Sequence, residues 1–233
     1  MAADQPSLSA RSVGALLLVL GTLVAACTAR PVEVPVDPGV DFAAHVEHRG
    51  LVVDRAQGGR PAVLVPAPTL PFTSGPTYLL QADRKTIAAL WVKDAGHVTV
   101  RQTGDRTAPV IGRVEAHWNH GAISLTLKPV DAPELRTGEF ERTDGPSRPG
   151  VLSSQATTLP DIRGMYQADL RDSTGAPAGW LRVRISPYLA ASRVYDGALP
   201  PSVQEPLATA AVALVDSEVD YIEDHATDMY LGN

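Results

Sequence analysis

The sequence predicts a β-rich α+β fold: an antiparallel meander, forming a sandwich or a partly closed barrel, followed by a C-terminal amphipathic helix. Residues 110–118 and 123–128 alternate apolar and polar side chains, the period of a half-buried strand. Runs of this kind recur at short intervals between turn-forming residues, which is the spacing of a β meander. Beyond Ser202 the period changes. Val212, Val215, Val219, Ile222, Ala226 and Met229 recur at intervals of three and four, a helical seam.

The chain begins with a different pattern. Arg11 precedes the apolar run Val13–Ala26, and Cys27 follows it. A basic residue, a short greasy core and small residues at its end are the anatomy of a secretory signal. The run is shorter than the ~20 residues that a membrane-crossing helix needs. Its end, Val24-Ala25-Ala26-Cys27, resembles the lipobox of bacterial lipoproteins. The resemblance covers residues 1–27. It implies a signal peptide over 1–26, cleavage before Cys27, a covalent lipid on the Cys27 sulfur and acylation, with palmitate for example, of the new amino terminus. Cys27 is the only cysteine. Lipidation would leave the exported protein with neither a free thiol nor a disulfide, consistent with an oxidising compartment.

Burial of acyl chains contributes about 0.8 kcal/mol per CH₂, and two or more chains anchor stably. The first implied partner is therefore a membrane, reached through lipid. Thr28 stands where lipoproteins retained at an inner membrane often carry Asp. The resemblance thus points to an outer membrane, facing the periplasm. Residues 28–41 hold three prolines and no helical period, so 27–41 read as a lipid-anchored tether.

Residues 42–143 read as an antiparallel β domain. Strands are expected at 51–54 and 61–65, joined across Gln57-Gly58-Gly59, and at 78–82. A hairpin of 87–93 with 97–102 turns at Asp94-Ala95-Gly96, with Gly96 left-handed; it pairs Val92 with Val98 and Leu90 with Val100. In the next hairpin only an even-length loop opposes Trp118 to Ile123, Ala116 to Leu125 and Val114 to Leu127. An odd loop would turn the apolar face over. The charge density of 134–142 suits an exposed edge strand.

Residues 144–161, rich in Pro, Ser, Gly and Thr, read as a linker or a long loop. They set off a subdomain, 162–233, holding a hairpin and the closing helix. In that hairpin Tyr166, Ala168 and Leu170 are expected opposite Ile185, Val183 and Leu181. Ser202 and Glu205 have the spacing of a capping box.

A net charge of −6 excludes nucleic acid as a partner, which demands a basic face, and argues against charge-driven binding to anionic lipid. The chain has no Gly-x-Ser-x-Gly or Ser-x-x-Lys nucleophile motif, no phosphate-binding loop and no His-Glu-x-x-His. No cofactor is expected beyond the lipid. Trp91, Trp118 and Trp180 all fall on expected strands, where packing is their ordinary role.

Two features could carry chemistry. Asp216, Asp220, Asp224 and Asp228 recur at i,i+4 along the helix, beside Glu218 and Glu223. Like charges at this spacing oppose one another by ~0.2–0.5 kcal/mol per pair, so something must compensate. Water together with arginines of the adjacent hairpin (Arg171, Arg182, Arg184) could do so; a bound cation or a basic partner is the sharper reading, and a helix that breaks before Asp224 is a third. The second feature is a pair of His-x-x-His motifs, His45/His48 and His117/His120. Residues at i and i+3 share a face only on a helix. His45 and His48, with Glu47 beside them, could sit on a helical turn and supply two zinc ligands; His117 and His120 run from a strand into its turn.

The sequence thus anticipates a non-catalytic envelope lipoprotein that binds or scaffolds another envelope protein, with the acidic helix as candidate surface. The alternative is an envelope hydrolase or metal-dependent enzyme whose site is assembled from dispersed His and Asp residues. Ligand capture inside a small barrel is a third reading, and it requires a lined cavity.

Overall fold

The computed structural model describes residues 40–47, 50–54, 60–68, 75–145, 150–155, 162–186 and 193–231, with the side chains of the final helix described as far as His225. The first four strands are β1 (Phe42–Glu47), β2 (Gly50–Asp54), β3 (Ala62–Pro66) and β4 (Tyr78–Ala82). Two long hairpins follow: β5 (Lys85–Asp94) with β6 (His97–Arg101), and β7 (Val110–Asn119) with β8 (Ala122–Pro129). The short strands β9 (Leu135–Thr137) and β10 (Glu141–Arg142) lead to β11 (Gly164–Asp172), β12 (Pro177–Ile185) and β13 (Arg193–Ala198). One helix, α1 (Glu205–Leu231), ends the described chain.

All thirteen strands belong to one antiparallel sheet, and the sheet closes on itself. From β11 the order runs through β12, β13 and β1 to β9, and β9 pairs back onto β11 through Leu170 and Thr137. The result is a ring of twelve strands, with β10 added on β11 beyond β9. Strands on both sides of the 144–161 segment pair in this one sheet, and residues 38–233 pack as one unit. The expected partly closed barrel is thus present, with its helix.

A barrel of about eight strands is filled by its own side chains, and a wider one leaves space along its axis. Here α1 occupies that space. It contacts β6, β7 and β8 on one wall and reaches β1 and β13 on the other. These walls stand on opposite sides of the ring, so the helix must run between them. Its first two turns show why it can. Leu207, Ala208, Thr209, Ala210, Ala211 and Val212 are all buried, at 2% exposure or less. A helix apolar on every side is an interior helix. The Thr209 hydroxyl donates to the Glu205 carbonyl one turn back, so that no polar group is left bare. Later turns become two-faced, with Val215, Val219 and Ile222 buried and Asp220, Tyr221 and Asp224 exposed.

Wall and helix share one apolar core. Ala44, Val53, Leu80, Leu90, Val100, Val114 and Leu125 point inward with Tyr166, Ala168 and Leu181, and the buried helix residues pack among them. Gly112 on β7 brings the two together. A Cβ there would lie 2.9 Å from the Leu207 Cδ1 and 2.9 Å from the Lys128 carbonyl oxygen.

The even-loop register of the central hairpin is as expected: Trp118 faces Ile123, Ala116 faces Leu125 and Val114 faces Leu127. His120 and Gly121 form the turn, both with positive φ (48° and 80°), as a two-residue hairpin turn requires. The preceding hairpin pairs Leu90 with Val100 and Val92 with Val98. Its turn differs, because Asp94 pairs with His97 across a bulge and Gly96 is not left-handed. Gly96 instead leaves room for Trp118, whose ring would lie 3.0 Å from an added Cβ.

Three further expectations are corrected. In the β11–β12 hairpin Tyr166 faces Val183 and Ala168 faces Leu181, two residues from the expected register. A two-residue slip keeps every side chain on its own face, so alternation cannot detect it. The bulge at Leu170/Arg171 and the turn built on Asp172 set the register instead. The 134–142 segment is not an open edge: β9 pairs with β8 and β11 and closes the ring. Its charged residues face outward, while Leu135 and Phe140 are buried. Finally, Ser202 lies in a turn closed by Val203 N–H to Pro200 O, and α1 starts at Glu205 with the Gln204 carbonyl accepting from Leu207 and Ala208. The Gln57–Gly59 connection lies outside the described residues.

Gly112→Ala is expected to lower unfolding stability by about 1–3 kcal/mol, the usual cost of overpacking. Gly138→Ala, where an added Cβ meets nothing within 4 Å, serves as the control and should be near neutral. Urea denaturation followed by circular dichroism measures both.

Candidate functional site

The acidic stripe meets an arginine. Arg193 opens β13 on the inward face of the wall and is 5% exposed, directly beside the middle turns of α1. Its Nη1 donates to the Asp216 Oδ1 at 2.8 Å and to the Asp216 carbonyl at 3.1 Å. Its Nη2 donates to Asp220 and lies 3.4 Å from the Glu223 Oε2. Two residues along the strand, on the same face, the buried Tyr195 hydroxyl donates to Asp216 Oδ1 at 2.6 Å. The planar guanidinium fork thus grips three helix carboxylates at i, i+4 and i+7, a geometry a lysine cannot reproduce.

The electrostatics follow from burial. Taken alone, burial would lower the Arg193 pKa; Asp216 and Asp220 outweigh it and hold the guanidinium above its ordinary value. Burial pushes the Asp216 carboxyl up, against the opposing pull of Arg193 and the Tyr195 hydroxyl. Glu223 is raised for the same reason, opposed by Arg193 and reinforced by Asp220. Burial also raises the Tyr195 phenol well above its usual range. The Arg193 Nε is buried without a partner.

The compensation required by the stripe therefore comes from β13, not from the β11–β12 hairpin. Arg182 is already engaged on the outer wall, where it binds Asp196 through Nε and Nη2 at 2.7 and 2.6 Å and stacks over Trp180. Arg171 donates to the Gly175 carbonyl at 3.2 Å. Asp216 and Asp220 are spent on holding the helix. Asp224 is exposed, and the side chain of Asp228 lies outside the described residues.

The histidines do not join this cluster. His45 sits on the strand β1, not on a helical turn, and its Nδ1 lies 3.2 Å from Asp54 Oδ2 on the outer side. His48 lies outside the described residues, as does Cys27. His117 is on the outer face of β7, with Nε2 3.0 Å from Thr126 Oγ1; His120 is the turn residue. Among the described residues no group of three or more His, Cys, Asp or Glu is placed to hold a metal ion.

A second feature lies on the outer wall. Glu115, His117, Thr126, Lys128, Glu134 and Arg136 line a shallow depression of about 360 Å³ across β7, β8 and β9. Its charges are paired internally: Lys128 with Glu115 at 2.7 Å and Arg136 with Glu134 at 2.7 Å. No protein-family model matches the chain, no curated protein matches it, and no solved structure matches it.

The sequence pattern required compensation for the stripe but did not point to Arg193 or Tyr195. The available signal was the segment Arg-Val-Tyr-Asp-Gly-Ala, whose alternate members Arg193, Tyr195 and Gly197 share one face. A strand with an arginine on its inward face reads as ordinary surface until the ring is known to be occupied by an acidic helix.

Arg193→Leu should destabilise the fold by about 3–5 kcal/mol, since it strands buried carboxylates. The loss should shrink as the pH falls. Without Arg193, Asp216 and Glu223 are held further above their unfolded values, so the folded state takes up protons and regains stability toward acid. Urea titrations at pH 5 and pH 8 check the sign; Arg193→Lys should recover only part of the loss.

Proposed function

We propose that this chain is a membrane-anchored envelope lipoprotein that acts as a non-catalytic binding or scaffolding module. The observation that carries the reading is the pattern of Arg11, a short apolar run and small residues ending at Cys27, the chain's sole cysteine. The expected tether, 27–41, immediately precedes β1 in the sequence. Two features of the body support a binding role over an enzymatic one. The ring is filled by its own helix, so the interior volume of the barrel serves packing. The reactive residue types are dispersed: His45 and His117 face outward on separate strands, and the acidic residues nearest the barrel axis are tied to Arg193. The end of the barrel where α1 emerges, with Asp220, Tyr221 and Asp224 exposed, is the surface assigned to an envelope protein partner.

The anchoring half is tested by metabolic labelling with palmitate. Wild-type protein should take up label and sediment with membranes, and Cys27→Ser should lose the label and become soluble. An unlabelled wild type, or unchanged sedimentation of the variant, overturns it. The binding half is tested by photo-crosslinking in intact cells. A crosslinker at position 221 or 224 should capture one defined protein, while one at position 136 on the outer wall should not. Equal capture at all three positions, or none, together with metal-dependent turnover by the purified protein, would reverse the assignment.

A further inference from the structure

α1 is held at the emergent end on two sides, and the side opposite Arg193 carries a buried carboxyl that is only half satisfied. Glu218 is 8% exposed. Its Oε2 accepts from the Trp118 indole N–H at 2.9 Å, and its Oε1 is buried with no partner. Trp118 lies on the inward face of β7 at the rim, 44% exposed, with its ring across the Gly96 turn.

We propose that the Glu218–Trp118 contact is a protonation-dependent latch, which seats α1 in the barrel mouth while the carboxyl is neutral and loosens the emerging helix when it ionises. A neutral carboxyl is far less costly to bury than a carboxylate, which needs a counter-charge or several donors. Among the described residues, the ionised form would have one indole donor and no cation.

The neighbouring charges are committed elsewhere. On α1, Asp216, Asp220 and Glu223 turn to Arg193 on the opposite wall. On β7 and β8, Glu115, His117 and Lys128 line the outer depression. On β6, His97 binds Asp94, and on β1, His45 binds Asp54. Burial accordingly pushes the Glu218 carboxyl up, with the Trp118 hydrogen bond pulling the other way. An acid raised in the folded state holds its proton longer than in the unfolded chain. Stability from this group therefore falls as the pH rises from the ordinary Glu range through the folded value. The rim position gives the motion a direction: ionised Glu218 reaches water by displacing the turns at 218–225 outward past a half-exposed indole.

The latch is independent of whether Cys27 carries lipid. Its test is hydrogen exchange of the 216–225 amides, corrected for intrinsic base catalysis, with tryptophan emission as a second readout, on the full chain between pH 4 and 9. Wild type should show a reversible rise in opening, with a midpoint above the ordinary Glu value of about 4.3 and about tenfold in opening per unit of displacement. Glu218→Gln should abolish the transition and keep the helix seated throughout. Trp118→Phe, which keeps the carboxyl but removes its donor, should move the midpoint upward; it also serves if the Gln variant does not fold. A transition that persists in Glu218→Gln, a midpoint unmoved in Trp118→Phe, or a wild type with no transition overturns the proposal.

Discussion

The structure depends on one constraint: a ring of twelve strands cannot fill its own interior. The ring obliges the chain to supply a core from elsewhere, and α1 is that core. The filler must be narrow, apolar all round and compatible with close approach to a pleated wall. The uncharged stretch from Pro206 to Val215, rich in Ala, meets the first two needs, and Gly112 meets the third beside Leu207. Wall and plug are energetically inseparable. The inward residues of the strands and the buried residues of α1 form one apolar core, and the first turns of α1 have no face suited to water.

The polar part of the interior follows from the same geometry. α1 is longer than the barrel is deep, so its sequence changes from apolar all round to two-faced where it nears the mouth. Charges therefore begin inside the ring, at Asp216, before solvent is reached. Arg193 and Tyr195 meet them from β13, and Trp118 meets Glu218 from β7. Removing a partner from such a buried set costs more than the set contributes as a whole, because the survivor is left charged in a poor solvent. These contacts fix how far the helix is inserted. The Ala-rich turns below are held by close packing, and the polar contacts at the mouth add directional bonds that set their register.

How much of this was legible in the sequence varies with the kind of information each feature needs. The β7–β8 register was readable because an odd loop would have exposed one whole apolar face. The β11–β12 register was not, since a slip of two leaves the faces unchanged and a bulge decides it. Closure of the ring was hidden in β1, β9 and β13, whose short runs Phe-Ala-Ala-His-Val-Glu, Leu-Arg-Thr and Arg-Val-Tyr-Asp-Gly-Ala lack a strong alternating signal. They pair across long sequence separations, which local pattern does not encode. The stripe announced a need for compensation, but the sequence pointed to the arginines of the β11–β12 hairpin rather than to Arg193. Glu218 looked like one more surface acid, because helical spacing cannot tell which side of a helix will face a wall and which will face solvent.

The path of the chain gives the barrel a polarity that matters for any anchored role. β1 begins at Phe42, opposite Gly197, at the end where β13 finishes and α1 starts. Trp118, Arg193 and the emerging turns of α1 mark the other end. Tension applied through residues before Phe42 would therefore act along β1, which is hydrogen-bonded to β13 on one side and β2 on the other. A strand pulled along its axis between two ladders loads those bonds together in shear, whereas a hairpin peeled from an edge breaks them one at a time. The architecture thus gives the two ends different tasks: at one, β1 enters the ring between two ladders, and at the other, polar contacts set the helix in place.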